Sequence, residues 1–324
     1  MKIGVTGGSG YIGTWLVKEL LREGHQVRII DIAPPNPTIG SHVEFINADV
    51  TNREDITHAL QDCDAVYHLA AVVSKLRGLE DREHCIRTNI NGTLYVLEAC
   101  RIHEVKRLIY MGTSEVLGEP LFTPTDERHR RAPKTTYGIT KCTGEDLCYE
   151  YHLSYGLNVV MPRLYMVYGI EDVRLVKYHN VIMKFIWNVM NNKPPIAYKD
   201  CVRSFLYIKD CAEALSYLLE KGKAGEIYDI CDRPEHAVTM EELAWMVIDL
   251  FGKDITPILM DPPPTDTKVK LPSGYKAYAE LGWAPKVMLT EGLKRVVEWM
   301  KTGVELPTSN EDRQAREFTK GIAL

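Results

Sequence analysis

Lys2-Ile3-Gly4-Val5-Thr6-Gly7-Gly8-Ser9-Gly10-Tyr11-Ile12-Gly13 opens the chain, and its reading decides the fold. Residues 2–6 form a short apolar run with β-branched members, as a buried strand does, and the residues after Gly13 take up a helical period. Gly8, Gly10 and Gly13 satisfy the G-x-G-x-x-G spacing, and Gly7, Gly10 and Gly13 the wider G-x-x-G-x-x-G. Glycines at a strand-to-helix turn let a pyrophosphate approach the backbone N–H groups of the helix N-terminus, where the macrodipole favours negative charge. Gly7, Gly10, Tyr11, Ile12 and Gly13 are therefore the candidate dinucleotide contacts of the turn. The second apolar run ends in Asp31. An acid at that distance accepts hydrogen bonds from both ribose hydroxyls and repels a 2′-phosphate, so the expected cofactor is NAD rather than NADP. Asp49 and Val50, ending the third run, would flank the adenine. Turn geometry alone could explain the glycines and a cap Asp31; the complete strand-turn-helix-strand-acid order argues for binding.

Outward from the turn, short β-branched runs at 2–6, 26–30, 43–47, 65–69, 107–111 and 158–163 alternate with helical periods at 13–23, 52–60, 84–102 and 137–155. That order predicts an α/β fold, a Rossmann-like doubly wound parallel sheet covered on both faces. Past Gly169 the character changes to a helix over 180–191, a break at Lys193-Pro194-Pro195, a strand over 204–208 and a helix over 210–220. The chain divides, on this reading, into an NAD-binding domain of residues 1–168, to which 203–232 return with a strand at 226–230, and a smaller, interleaved C-terminal substrate lobe. That lobe takes 169–202 and 233–324, with helices over 240–251 and 290–301. Asp261-Pro262-Pro263-Pro264 reads as a stiff connector, and the polar tail from Thr302 as a mobile end.

The 324 residues, 45% of them hydrophobic, exceed what one compact domain needs. The 39 Lys and Arg and 44 Asp and Glu give a net charge of -5 and form no basic block, which argues against a nucleic-acid partner. The first residues carry no basic n-region or apolar h-region, and no stretch approaches the ~20 apolar residues of a membrane helix. A cytoplasmic protein without a membrane partner is expected. Eight cysteines, at 63, 85, 100, 142, 148, 201, 211 and 231, show no Cys-x-x-Cys pair and no zinc-type His spacing, so reduced thiols and no metal are expected. A catalytic thiol at Cys142 is the alternative to a small hydrophobe there.

Tyr137-Gly138-Ile139-Thr140-Lys141 places a phenol and an ammonium on one face of a helix. A phenol with an ordinary pKa of ~10 is a poor base, but a neighbouring ammonium and a positive nicotinamide ring both favour phenolate. Lys141 can also hold the nicotinamide ribose. Alone, such a pair is as often a surface tyrosine beside a solvated lysine. Here the run 107–111 leads into Gly112-Thr113-Ser114-Glu115-Val116-Leu117-Gly118, a loop at the carboxyl end of a strand, where ligands bind in such sheets.

Together with His68-Leu69-Ala70-Ala71, Asn89-x-x-Gly92-Thr93, Pro162-Arg163-Leu164 with Val167-Tyr168-Gly169, Arg203-Ser204-Phe205-Leu206-Tyr207-Ile208-x-Asp210 and Leu281-Gly282-Trp283, these segments resemble a known family. They are similar, in order and over most of the chain, to the NAD-dependent nucleotide-sugar epimerases and dehydratases among the extended short-chain dehydrogenases. The resemblance implies that Tyr137 deprotonates a sugar hydroxyl, usually the one on C4, as hydride passes to NAD. Thr113 would hydrogen-bond the same oxygen, and Lys141 would support both. It also puts Leu69, Ala70, Ala71 and Asn89 with the cofactor, Ser114 with the substrate, and Arg203 on its diphosphate, which suits a bidentate guanidinium. Glu115 stands where relatives that eliminate water carry the glutamate that removes the C5 proton. Thr-Ser-Glu-Val resembles GDP-mannose 4,6-dehydratases and UDP-glucuronate decarboxylases, whereas a simple 4-epimerase needs no second base. A capping or solvated carboxylate is the plain alternative.

Departures from the family pattern are Tyr165-Met166 for the frequent Phe-Asn, which removes an amide contact to the diphosphate, Leu117 for a tyrosine, and a shorter stretch between 198 and 203. The family further implies a homodimer through the helices 84–102 and 137–155, although Leu94, Leu97 and Leu147 could be buried within one chain. Three readings stand open. The first is epimerisation, dehydration or decarboxylation of a nucleotide-diphosphate sugar with NAD regenerated in each turnover. The second, which Met166 keeps open, is a carbonyl reductase or dehydrogenase with net NAD(P)H exchange, and the third a non-catalytic NAD-sensing protein.

Overall fold

Near-continuous burial marks the strands of the main sheet: Ile3 and Val5 in the first, and Ala65, Val66 and Tyr67 in the fourth, are fully enclosed, as a parallel sheet covered on two faces requires. The computed structural model describes residues 1–73, 75–171 and 180–302, with side chains except at 75–77, so the tail expected beyond Thr302 lies outside the described residues. The strands are β1 Lys2–Thr6, β2 Gln26–Asp31, β3 Glu44–Asn47, β4 Ala65–His68, β5 Arg107–Tyr110, β6 Gly112–Thr113, β7 Val159–Leu164, β8 Val167–Tyr168, β9 Ile196–Tyr198, β10 Val202–Arg203, β11 Leu206–Tyr207, β12 Ile227–Ile230, β13 Val238–Thr239, β14 Ile258–Met260 and β15 Val269–Lys270. The main sheet runs β3-β2-β1-β4-β5-β7-β12, with β6 also paired to β7, and its pairings are parallel. Strand order reverses between β1 and β4, and a ligand crevice opens at such a switch point.

The helices are α1 Tyr11–Arg22, α2 Pro37–Gly40, α3 Arg53–Ala59, α4 Lys75–Glu80, α5 Arg82–Ile86, α6 Gly92–Ile102, α7 Thr136–Tyr155, α8 Val181–Met190, α9 Ile208–Lys221, α10 Met240–Phe251 and α11 Leu289–Lys301. One face of the sheet is covered by α1 and α9, whose Leu16, Leu20, Leu215 and Leu218 share a core with Ile3, Val5 and Ile109. The other face is covered by α3, α6 and α7 through Ile56, Val96, Leu97 and Tyr151. This is the doubly wound arrangement expected. A further core joins α8, α10 and α11 through Phe185, Val247 and Val296. Among the described residues no helix is long and apolar enough to cross a membrane.

Three expectations need correction. The run 204–208 is not one strand: β10 and β11 flank Ser204 and Phe205, and α9 already begins at Ile208. Its first turn is tied down by Asp210, which accepts the N–H groups of Lys286 and Val287 at 2.9 and 2.8 Å. The run 84–102 is not one regular helix either, because α5 passes into a π-helical turn over Arg87–Asn91 before α6. Lastly, the small sheets β13-β10-β15 and β14-β9 had no counterpart in the sequence reading.

Candidate active site

The glycine turn is backbone resting on backbone. Gly7 donates its N–H to Ile30 O at 3.0 Å and accepts from Gly10 N–H at 3.1 Å. Gly7 has a φ of 71°, and a Cβ there would lie 2.6 Å from Ala70 N, while a Cβ at Gly13 would strike Gly7 O. Side chains are thus excluded from the cradle itself. α1 starts behind Gly10 with no side-chain cap, which leaves its first N–H groups for an anion. Asp31 fixes the rim by accepting Ser9 N–H and Ala33 N–H, both at 3.1 Å. Asp49 is exposed and accepts Thr51 N–H at 2.8 Å, and Val50 is buried against Gly92. Tyr11 lies against Gly169, and Ile12 packs against two cores. A closely approached phosphate-sized anion and a hydroxyl-binding acid at the next strand end are what a dinucleotide needs, so these residues fit NAD.

A buried polar thread supports the floor of the crevice. Thr93 Oγ1 donates to Asn89 O at 2.6 Å, so it accepts from His68 Nε2, 3.1 Å away. His68 Nδ1 is then bare and accepts the Thr6 hydroxyl at 2.7 Å, while Thr6 Oγ1 accepts Ala70 N–H at 3.3 Å. Burial, aided by the Lys141 charge, holds the imidazole down to about 3, so it is neutral, with its tautomer assigned from these partners. Leu69 N–H is held by Thr6 O. Asn89 accepts Val72 N–H at 2.8 Å and donates to Val72 O at 3.1 Å and Thr140 Oγ1 at 3.0 Å. Its amide therefore clamps the segment carrying Ala70 and Ala71 to α7. Sequence reasoning missed Thr6, His68, Thr93 and Thr140 as functional residues. The strings around His68 and Asn89 were the available signal.

α7 begins with Thr135 as cap, its hydroxyl accepting Gly138 N–H at 3.1 Å. Gly138 is needed because a Cβ there would lie 2.7 Å from Glu115 O. The first turn of α7 thereby presses on the loop after β6, and the Tyr137 phenol faces the Thr113 side chain. Burial pushes the phenol up and the Thr113 hydroxyl beside it opposes that. One turn on, Lys141 is 3% exposed, donates to Met111 O at 2.8 Å and lies 4.8 Å from the Tyr110 ring centre. Burial lowers its ammonium to about 8, with Cys148 and Glu145 acting in the other direction. Thr113, Tyr137 and Lys141 are thus brought together at the carboxyl ends of β4, β5 and β6. Burial pushes the Cys142 thiol up, away from a thiolate nucleophile.

Glu115 is neither solvated nor a cap: its carboxylate pairs with Lys270, the two side chains being 15% and 7% exposed. Lys270 arrives through β15, aligned with β10 so that Arg203 stands beside it, and sequence reasoning missed it. Ser114 is buried in the same short helical turn. Arg203 is held largely by backbone carbonyls. Its guanidinium donates to the carbonyls of Val202 at 2.9 Å, Lys268 at 2.6 Å and Thr267, and pairs with Asp266 at 3.4 Å. It ties down residues 266–268. Met166 has a φ of 35°, and the Tyr165 hydroxyl donates to buried Asp229 at 3.1 Å.

Residues 3–231 match the NAD dependent epimerase/dehydratase family. The chain is 30% identical over 322 residues to UDP-glucuronic acid decarboxylase 6 of Arabidopsis thaliana, covering 95% of this chain and 91% of that protein. It is 29% identical over 319 residues to a dTDP-glucose 4,6-dehydratase of Streptomyces niveus, covering 93% of each. Its structure is similar to that of Thermus thermophilus UDP-glucose 4-epimerase in complex with NAD, with a TM-score of 0.84, 30% identity, and 94% and 100% of the two chains covered.

Proposed function

The chain belongs to the NAD dependent epimerase/dehydratase family, and from that premise we propose that it oxidises the C4 carbinol of a nucleotide-diphosphate sugar transiently and regenerates NAD within each turnover. The observation that carries this reading is that one end of α7 sets Tyr137 over the loop bearing Thr113, with Lys141 buried one turn on and anchored to Met111 O at the end of β5. NAD, when bound, supplies a hydride acceptor. Gly7, Gly10, Tyr11, Ile12, Gly13, Asp31, Asp49, Val50, Leu69, Ala70 and Ala71 would hold it, with Asn89 fixing the 70–72 backbone. Thr113 holds the sugar oxygen, the Lys141 ammonium favours the phenolate form of Tyr137, and that phenolate takes the hydroxyl proton and becomes a neutral phenol as the hydride leaves C4. Ser114 lines the sugar side, and Arg203 can reach a diphosphate once it lets go of Asp266.

Glu115 is the base for the step after oxidation, removing the proton made acidic by the C4 carbonyl. Its ion pair with Lys270 in the loop after Thr113 supports this over a capping role. The enzyme acts as a homodimer through α6 and α7, on whose outer surface Ile102, Ile139, Tyr149 and Leu153 are exposed.

Purified protein given UDP-, GDP-, dTDP- and CDP-sugars is expected to convert at least one without net nicotinamide consumption, as read by chromatography and by absorbance of reduced cofactor. Stoichiometric consumption of NADH favours the carbonyl-reductase reading instead. Tyr137→Phe is expected to fold and bind NAD but lose nearly all turnover, about 1000-fold or more. Wild-type-like rates in that variant refute the assigned base.

A further inference from the structure

Glu145 lies one helical turn beyond Lys141 on the same face of α7, and its side chain is 2% exposed. Arg163, in β7 and 1% exposed, grips it with Nε and Nη2 at 2.9 and 2.8 Å, and Arg131 Nη1 stands 3.6 Å from the same carboxylate. In the sheet Arg163 lies between Gly112 on one side and Asp229 on the other. A Cβ at Gly112 would be 3.1 Å from Glu145 Oε1, so the ion pair runs directly beneath the strand that delivers Thr113. Stability alone does not explain a fully enclosed ion pair, because apolar groups of the same volume often serve the fold as well or better.

We propose that Glu145 and Arg163 are positioning residues for the reaction, holding α7 on β7 and setting the electrostatic field at the Lys141 ammonium, with the carboxylate favouring the charged lysine and the guanidinium limiting that effect. The inference rests on the assignment of Lys141 to the active site. The groups that face Lys141 are Glu145 and Cys148 from α7, Cys85 from α5, His68 from β4 and Tyr110 from β5. Burial pushes both thiols and the Tyr110 phenol up and holds His68 neutral, which leaves the Glu145 carboxylate, gripped by the Arg163 guanidinium, as the ion-paired group of that set. On the far side of Arg163, burial and then the Glu127 charge push Asp229 up to about 8. Asp229 is therefore largely an uncharged acid at pH 7, which leaves the guanidinium to Glu145.

Protein labelled with 13C at lysine Cε, with the Lys141 resonance identified by its loss in Lys141→Arg, provides the test. The Lys141 midpoint, near 8 in the parent, is expected to fall in Glu145→Gln and to rise in Arg163→Met, each by roughly half a pH unit or more. Removing an anion and removing a cation give opposite signs, whereas loosened helix packing moves both variants the same way. Shifts of equal sign, or none, overturn the proposal. Should either buried variant fail to fold, Arg131→Gln, partly exposed at 33%, is expected to raise the midpoint by a smaller amount, and an unmoved midpoint there is equally fatal. The alkaline limb of kcat/KM for the converted sugar nucleotide must follow the Lys141 midpoint, and a limb that stays put sinks the positioning role. The failure of the C4-oxidation reading is separable, since full turnover in Tyr137→Phe would remove that reading and leave the lysine titration unaffected.

Discussion

Glu115 and Lys270 meet across 155 residues of sequence, and the pairing has a mechanistic cost. For Glu115 to collect a proton, Lys270 must shift toward another anion, because a buried charge stripped of its partner is strongly disfavoured. A substrate that brings its own negative charge satisfies that condition. Glu115→Gln is expected to keep the first oxidation, visible as transient reduced cofactor, and to slow elimination or decarboxylation by about 100-fold or more. Undiminished product formation in this variant would eliminate a C5 base and leave simple 4-epimerisation. Tyr137, Lys141 and Thr113 were legible in the sequence because helix spacing and strand-end position encode their meeting locally. Lys270 was not, since a two-residue strand carries no period to read and its partner lies in another part of the chain. Arg203 was legible as an important cation but not in its orientation, which the carbonyls of 202, 267 and 268 decide.

The π-helical turn over Arg87–Asn91 shows what periodicity leaves out. One extra residue in a turn rotates everything after it by about 100° relative to a straight helix. With that turn in place Thr88 and Asn89 are buried, and Asn89 bridges Val72 to Thr140. Asn89→Ala would leave the Val72 N–H and carbonyl without their partner, at about 1–3 kcal/mol for each group left unsatisfied. A lower melting temperature is expected together with NAD affinity weakened by roughly tenfold, because the loop that carries Ala70 loses its anchor. Calorimetric titration with NAD checks this, and an unchanged Kd would show that the clamp does not serve the cofactor. The central strands of the main sheet were legible because runs such as Ile3 to Thr6 and Ala65 to His68 are buried throughout. The sheets of two- and three-residue strands in the later half follow from tertiary contacts instead.

At the scale of the molecule, the main sheet and the later helices meet at the site. Ile12 and Val167 each pack against both of the cores involved, so the glycine turn and the region after β7 are joined through apolar contact. The outer face of α7 offers Ile139, Tyr149 and Leu153, 51%, 51% and 66% exposed, without a cover in the single chain. Burying such side chains is worth about 1.5–3 kcal/mol apiece, enough for a few to drive association. Light scattering is expected to give twice the chain mass, and Leu153→Arg with Tyr149→Asp to give a monomer that still binds NAD. A wild-type protein that stays monomeric at micromolar concentration contradicts the dimer.

The thread from Thr6 through His68 and Thr93 to Asn89 has each hydrogen already pointed at an acceptor. It is electrically quiet ground under a site where charge must move. A proton lifted from the sugar meets there only a feebly basic imidazole and, at the end, a backbone carbonyl, so it is held on the phenol or handed back along the open side of the crevice, where the next substrate will also arrive.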